Sequence, residues 1–412
     1  MSLFDDLLWR GMIKDVSDEK LAREKFDKEK IRFYIGYDPT GQSLTIGHLV
    51  QIVRMIYLQN HGHTPVVVIG GATGLIGDPK QTSERKLLTL DESLKNAELI
   101  KKQMVKFLNP KKTIFVNNYD WTSKIDMISF LRDFGKNFTI NYMLAKETVQ
   151  ARLEIGISYT EFSYMLLQAI DFWYLYKNEN VKVQFGGSDQ WGNITTGLEL
   201  IRKLEGDNDA VGVSSPLLLK SDGQKFGKSE SGSIWLDENL TSPYEMYQFL
   251  INSTDSDVIN YLKTLTLLSK DEIIKLEKSV VLNPELREAQ KVLANEVVKL
   301  VHGKDALNEA IKVSEALFTG EFDKLSLKEF TLLAQGMQVV NVSLGDNILD
   351  CLISAGLSSS KREAREFVQN GAISVNDLKI IDINYIISIE ESYFKKFIVI
   401  KRGKKKYAIL AL

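Results

Sequence analysis

The chain has a single cysteine, Cys351, in 412 residues. One thiol excludes an intramolecular disulfide and a cysteine-based zinc site, and its expected role is a buried small hydrophobe. Net charge is also missing. Lys and Arg number 52 against 54 Asp and Glu, a formal balance of −2. That excludes a protein gripping nucleic acid by bulk charge, though not one with a local basic patch. Long apolar runs are absent too. The longest uncharged apolar stretch, Val66 to Gly77, is too short and too rich in glycine to span a membrane. The opening residues, Met1-Ser2-Leu3-Phe4-Asp5-Asp6, lack the basic region of a secretory leader, so a cytoplasmic location is expected. Among the four histidines only His61 and His63 are close in sequence. They flank Gly62 in an expected surface turn, and no protein-held metal site is predicted.

What remains has the composition of a folded soluble chain. Hydrophobic residues make up 44% and charged residues 26%, which excludes extended disorder. At roughly 100–200 residues per domain, the length suggests two or three domains. Leu3, Leu7, Leu8, Leu21 and Phe26 predict a helical lead-in over residues 1–30. Ile31 to Tyr37 and Pro65 to Ile69 read as strands, with a helical pattern from Ile46 to Asn60 between them. A long helical pattern covers Glu84 to Leu108, and Thr113 to Val116 is again a strand. Residues 121–180 read as helical, followed by a strand at Val181 to Phe185. This alternation predicts an α/β fold with a parallel sheet and helices on both faces. The segments after Tyr37, Ile69 and Phe185 then converge at the carboxyl edge of the sheet, where such folds bind ligands.

Residues 230–320 look mainly helical, and a looser stretch near Gly320 to Gly345 reads as a linker. From Gly345 onward 11 basic residues face 8 acidic ones, a balance of +3, whereas the remainder carries 41 and 46, a balance of −5. The charge asymmetry therefore places a basic module at the C-terminus.

Two blocks invite chemistry. In Tyr34-Ile35-Gly36-Tyr37-Asp38-Pro39-Thr40-Gly41-Gln42-Ser43-Leu44-Thr45-Ile46-Gly47-His48 a strand runs through a polar turn into a helix start. Free N–H groups there suit a polyphosphate, and Thr45 and His48 share one helical face. Gly47 leaves room for a flat ligand. Taken alone, the block reads equally as a capped helix with a surface histidine. The second block, Lys225-Phe226-Gly227-Lys228-Ser229, sets two lysines three apart in a loop, as a cationic clamp on a leaving phosphate would. Taken alone, it reads as a solvated turn.

Together the two blocks resemble the paired signatures of class I aminoacyl-tRNA synthetases. Flanking segments are similar to bacterial tyrosyl-tRNA synthetases across essentially the whole chain. They are Tyr37-Asp38-Pro39-Thr40, Gly70 through Pro79, Asn117-Asn118-Tyr119-Asp120-Trp121, Gly186 through Asn193, and Ser360-Lys361-Arg362-Glu363-Ala364-Arg365. The resemblance implies a Rossmann-type catalytic domain over residues 1–225 and a lysine loop with a helical tRNA-contacting domain over 226–320. A linker over 321–344 and a small α+β S4-like RNA-binding domain over 345–412 follow. It implies tyrosine, ATP and tRNA(Tyr) as substrates, Mg²⁺ accompanying ATP, and a homodimer with its contact within residues 120–165.

By the same resemblance Thr40, Thr45 and His48 serve the nucleotide and its phosphates, with Gly36, Asp38, Gly47, Gly187 and Asp189 lining the ATP site. Lys225 and Lys228 neutralise departing pyrophosphate, and Ser229 holds the loop. Tyr34 and Asp171 meet the substrate hydroxyl, and Asp78, Tyr164 and Gln168 meet its ammonium. Gln190, with Asp189, lines the same pocket or the ribose. Spacing agrees for Tyr164, Gln168 and Asp171, which fall on one face of a helix. Thr45 stands where the commoner first histidine of the signature would be, and its hydroxyl can donate but carries no charge. Lys80 and Arg85 follow the glycine-rich segment at an unusual spacing and are not counted in the site.

At the C-terminus Ser360 reads as a helix cap. Lys361, Arg362 and Arg365, with Lys404 and Lys405 of a basic hairpin, are the expected grip on RNA phosphates. Two other readings stay open. One is the tryptophan enzyme of the same class, disfavoured by Tyr34 and Asp171. The other is a non-enzymatic RNA-binding scaffold, for which Thr45 is the one hint.

Overall fold

The computed structural model describes residues 1–79, 87–229, 232–403 and 406–412, with Ser229 described by its backbone alone. The chain forms two compact units, residues 1–237 with 254–289, and residues 238–253 with 290–412.

The first unit is built on five parallel strands. They are β1 (Arg32–Tyr37), β2 (Thr64–Ile69), β3 (Ile114–Asn117), β4 (Val181–Gly187) and β5 (Val211–Ser215), in the order β3-β2-β1-β4-β5. Strands covered on both faces read as continuous apolar runs, and Val66, Val67, Val68 and Ile69 are accordingly buried. Helices Ile46–Asn60, Leu90–Phe107, Tyr159–Glu179 and Trp191–Glu205 connect successive strands. The chain builds outward from β1 to β3 and then returns to lay β4 on the other side of β1. The strand order therefore reverses between β1 and β4, which opens a crevice at their carboxyl ends.

The lead-in covers the far edge of this sheet. Lys14 N–H donates to the Ser214 carbonyl at 2.7 Å, and Ser214 N–H to that of Asp15 at 2.8 Å, so β5 leaves fewer unpaired groups. Strand β5, Val-Gly-Val-Ser-Ser, holds only two large apolar residues, and its sequence carries no strand signal. The long helical pattern begins at Leu90, because Thr89 and Glu92 form a reciprocal cap there.

His63 departs from the expected surface turn. Gly62 turns the chain at φ 91° and the ring folds inward, 2% exposed, edge-on to Phe26 at 5.8 Å. Burial pulls its pKa down to about 4. A short hairpin of β6 (Lys228–Ser229) and β7 (Gly232–Ser233) was also not legible in advance.

The second unit carries helices Pro243–Ile251, Lys304–Thr319 and Leu327–Gln335, and a second sheet. That sheet joins β8 (Val339–Asn341), β9 (Ile373–Val375), β10 (Leu378–Ile380), β11 (Phe397–Arg402) and β12 (Lys406–Ala411) in the order β10-β9-β11-β12-β8. Asn376 and Asp377, at φ 45° and 67°, make the two-residue turn between β9 and β10. Cys351 is buried in the core with Ile348, Leu352, Val368 and Ile400. The stretch expected as a linker, 321–344, holds a helix capped by Ser326 and the strand β8, which pairs in parallel with β12. Three residues of strand are too few to show a period of two in sequence.

In the first unit, helix Glu147–Leu153 is tied to helix Tyr159–Glu179 by Arg152 Nη2 and Glu161 Oε2 at 2.9 Å, with side chains 4% and 1% exposed. Breaking such a pair leaves a buried charge, whereas replacing both partners with apolar groups does not. Arg152→Met should cost about 3–5 kcal/mol in urea unfolding, and the double variant with Glu161→Leu much less.

Candidate active site

The carboxyl end of β1 delivers Tyr34 and Asp38 into the crevice. Tyr34 is 2% exposed, its ring lies 5.5 Å from that of Phe172, and its hydroxyl is buried with no hydrogen-bond partner among the described residues. Burial, with the charge of Asp171 nearby, raises its pKa well above the phenolic norm, so it is a neutral donor.

Asp171 lies on helix Tyr159–Glu179 and is 4% exposed. Asn118 Nδ2 donates to its Oδ2 at 2.9 Å and Trp121 Nε1 to its Oδ1 at 2.8 Å. Burial pushes its pKa up to about 7 against the pull of those two donors, and the charge of Asp38 adds to the rise. Asn118 also donates to Thr73 Oγ1 at 2.9 Å, and Thr73 donates to Asp38 Oδ1 at 2.6 Å. Tyr164 closes the chain by donating to Asp38 Oδ2 at 2.7 Å. One network thus links the ends of β1, β2 and β3 to the helix. Glycine permits it: a Cβ on Gly70 would sit 2.1 Å from Asp38 Oδ1, and one on Gly71 would sit 2.3 Å from Asn117 Oδ1.

A second cluster surrounds Asp78. Gln190 Nε2 donates to its Oδ2 at 2.8 Å and Asn193 Nδ2 to its Oδ1 at 3.1 Å. Burial raises Asp78 to about 6, with Asp38 and Asp189 contributing repulsion. Gln168 is half-buried one turn after Tyr164. The three-residue stripe Tyr164, Gln168 and Asp171 lies on one helix, as its spacing predicts.

The residues expected at the nucleotide phosphates, Thr45 and His48, sit at the start of helix Ile46–Asn60. Thr45 is its N-cap, and Thr45 N–H donates to His48 Nδ1 at 3.1 Å, with Thr45 Oγ1 at 3.0 Å from the same nitrogen. An Nδ1 that accepts leaves the proton of the neutral ring on Nε2. His48 is exposed, and desolvation by the surrounding protein lowers its pKa. Gly36 and Gly47 are exposed, and nothing lies within 4 Å of where a Cβ on Gly36 would be. Thr40 is exposed and its N–H donates to the Asp38 carbonyl at 2.8 Å. Gly187 closes on Asp189, whose Oδ1 would be 2.4 Å from an added Cβ.

The lysine block meets this helix start. Ile46 N–H donates to the Ile234 carbonyl at 2.8 Å and Leu236 N–H to that of Leu44 at 2.9 Å. Gly227, at φ 88°, takes a conformation that side chains avoid, and a Cβ there would strike Ile46 Cγ2 at 2.7 Å. Phe226 is buried 4.5 Å from the ring of Tyr261, while Lys225 and Lys228 on either side of it are exposed. Lys220 Nζ donates to the Lys228 carbonyl at 3.2 Å.

The structure therefore joins Asp38, Tyr164 and Asp171 in one hydrogen-bonded network with Tyr34 beside it, and Asp78 with Gln190 in a second cluster. It places Thr45, His48 and the lysine loop on adjoining backbone. Asp38, expected at the nucleotide, is bonded to Tyr164 and Thr73. Thr73, Asn118, Trp121 and Asn193 were missed as site residues. They lie in the segments that carry the resemblance, but their roles come from partners far away in sequence.

In the second unit, Ser360 caps helix Lys361–Gln369 by accepting from Glu363 N–H. Lys361, Arg362 and Arg365 are exposed, and Lys361 pairs with Asp350 at 2.6 Å. Lys404 and Lys405, together with Lys80 and Arg85, lie outside the described residues.

Residues 26–319 match the family model described as tRNA synthetases class I (W and Y), and residues 329–410 match the tyrosine–tRNA ligase SYY-like C-terminal domain. The tyrosine–tRNA ligase of Onion yellows phytoplasma (strain OY-M) is 50% identical over 411 residues, covering 100% of each chain. That of Phytoplasma australiense is 51% identical over 415 residues, again covering 100% of each. Among solved structures, a C-terminally truncated Aspergillus nidulans mitochondrial tyrosyl-tRNA synthetase superposes with a TM-score of 0.69 at 32% identity. The match covers 77% of this chain and 94% of that one.

Asp171 generates a pH signature of stability. An unfolded aspartate titrates near about 3.9, whereas the folded one titrates at about 7. Between those values the folded state holds the extra proton, so the contribution of Asp171 falls as pH rises through the window. Unfolding measured from about pH 3 to 8 should show Asp171→Asn gaining stability relative to the native chain as pH rises, and a constant difference below about pH 4.

Proposed function

The chain belongs to the tyrosine–tRNA ligases of the class I (W and Y) synthetase family, and on that basis we propose how its residues divide the reaction. L-Tyrosine is activated with ATP to tyrosyl-adenylate and pyrophosphate, and tyrosine then passes to the 3′ end of tRNA(Tyr). The substrate carboxylate is already ionised at neutral pH, so the first step needs no general base. It needs positioning and charge stabilisation at the phosphates.

The observation that carries the amino-acid assignment is the orphaned Tyr34 hydroxyl beside the buried Asp171. An unmet buried donor costs about 1–3 kcal/mol. A substrate phenol accepts from Tyr34 and donates to Asp171, meeting both needs at once. Phenylalanine meets neither, and a site of this kind rejects such an analogue by about 10⁴–10⁵. The substrate ammonium goes to Asp78, Tyr164 and Gln168, with Gln190 orienting Asp78 and Asp38 orienting Tyr164.

His48 donates from Nε2 to a phosphate oxygen, and Thr45 holds the tautomer that allows it. Gly36, Thr40, Gly47, Gly187 and Asp189 line the nucleotide. Lys225 and Lys228 neutralise the departing pyrophosphate from a loop whose core, Phe226-Gly227, is anchored, and Ser229 keeps the loop's shape. Mg²⁺ enters with ATP and screens its phosphate charge. Among the described residues no three His, Cys, Asp or Glu side chains converge to hold a metal of their own.

Lys361, Arg362 and Arg365, with Lys404 and Lys405, grip tRNA phosphates. The active form is a homodimer. Exposed apolar side chains at Met127, Ile128, Leu131, Ile140, Ile155 and Tyr159 support a contact within residues 120–165. The location is the cytoplasm, and no helix of the described residues is long and apolar enough to cross a membrane.

Pyrophosphate exchange into ATP tests the reading. It should depend on tyrosine, with phenylalanine essentially inert, and exchange with tryptophan instead would overturn it. Tyr34→Phe should lower the tyrosine-over-phenylalanine preference by about five- to tenfold, the worth of one hydrogen bond.

The phenol binds ionised Asp171. With that group at about 7 in the free enzyme, tyrosine affinity measured by equilibrium dialysis should fall about tenfold from pH 8 to pH 6.

A further inference from the structure

Arg54 stands in the third turn of helix Ile46–Asn60 and is 0% exposed. Arginine is almost never fully buried without an anionic partner. Here Nη1 donates to Gln51 Oε1 at 2.7 Å, and Nε and Nη2 have no partner among the described residues. The guanidinium carbon lies 5.0 Å over the ring of Phe185. Burial lowers its pKa to about 10, so it remains a cation at neutral pH. The attraction of a cation to an aromatic face is too weak to offset the desolvation of a fully buried guanidinium. Nothing in the packing of the helix alone calls for this residue, since its neighbours Val50, Val53 and Leu58 fill the core with apolar groups.

What Arg54 does join is specific. Gln51, held by Arg54, donates from Nε2 to Ser215 Oγ at 3.3 Å, and Ser215 Oγ donates to the Gly186 carbonyl at 3.3 Å. Arg54 therefore reaches the end of β4 by two routes, directly through the ring of Phe185 and by relay to Gly186. The next residues are Gly187, Ser188 and Asp189, the turn that lines the nucleotide. The helix it stands on begins at Thr45 and His48. Arg54 thus ties the two walls of the crevice at the point where the strand order reverses between β1 and β4.

We propose that Arg54 is a positioning residue for ATP, setting the spacing between the His48 helix start and the Gly186–Asp189 turn through Phe185, Gln51 and Ser215. The proposal rests on the placement of the nucleotide given above. It does not touch the network around Asp171, whose polar contacts run through Asn118, Thr73 and Asp38 and include neither Gln51 nor Ser215.

The test is steady-state pyrophosphate exchange with the full chain. Arg54→Met keeps the volume and removes the guanidinium. It should raise KM for ATP at least fivefold, with KM for tyrosine and kcat within twofold of the native values. Ser215→Ala removes the last link with the loss of a single buried oxygen, and should raise KM for ATP two- to threefold with the same selectivity. If Arg54→Met does not fold, Ser215→Ala decides alone. A lowered melting temperature with both KM values unchanged, or an equal rise in both, overturns the proposal. If the native chain shows no tyrosine-dependent exchange, the functional reading itself fails. If the native chain is active and the variants show no ATP-selective shift, only this proposal fails.

Discussion

A carboxylate buried with no cation bonded to it among the described residues is the constraint around which the site is built. Asp171 holds two neutral donors, Asn118 and Trp121, one on each oxygen. Neutral donors lessen the desolvation of a charge but do not cancel it, so the group remains hard to ionise. Everything adjacent reflects that condition. Asn118 spends its second amide proton on Thr73, Thr73 spends its hydroxyl on Asp38, and Asp38 takes the remaining donor from Tyr164. Each member of the chain fixes the rotamer of the next, so the pocket is shaped before any ligand arrives. The side facing Tyr34 is the one left incomplete.

The second half of the site uses backbone where the first uses side chains. The start of helix Ile46–Asn60 lies at the reversal of strand order, and the lysine block is stitched to it by the main-chain bonds of Ile46 and Leu236. Anchoring the middle of the loop through Phe226 and Gly227 leaves two flexible ammonium groups on short leads. Compact point charges on mobile stems suit a phosphate group that moves as it departs.

Much of this architecture was legible because it rests on periodicity. A fully apolar run marked β2, β-branched and aromatic residues marked β1, and the spacing of Tyr164, Gln168 and Asp171 placed them on one face of a helix. What was not legible depends on partners distant in the chain. Nothing local marks Thr73 or Asn118 as relays, and Trp121 looks like one more core aromatic until its indole N–H is seen on Asp171. His63 is hidden for the same reason, since the inward turn at Gly62 is decided by packing against Phe26. Arg54 sits inside an apolar helical stripe and gives no sequence signal beyond breaking it. Strand β8 carries too few residues to announce itself, and β5 has a glycine and two serines among its five.

Strand β8 has a consequence for where the chain tolerates interruption. Val339 to Asn341 precede the rest of the C-terminal sheet and run in parallel along β12, covering its outer edge. A backbone cut at Gly345 would sever that cover from the module it protects. The amides and carbonyls of Ile409, Leu410 and Ala411 would then face solvent as an open template for self-association, so the C-terminal module includes residues that sequence alone assigns to its tether.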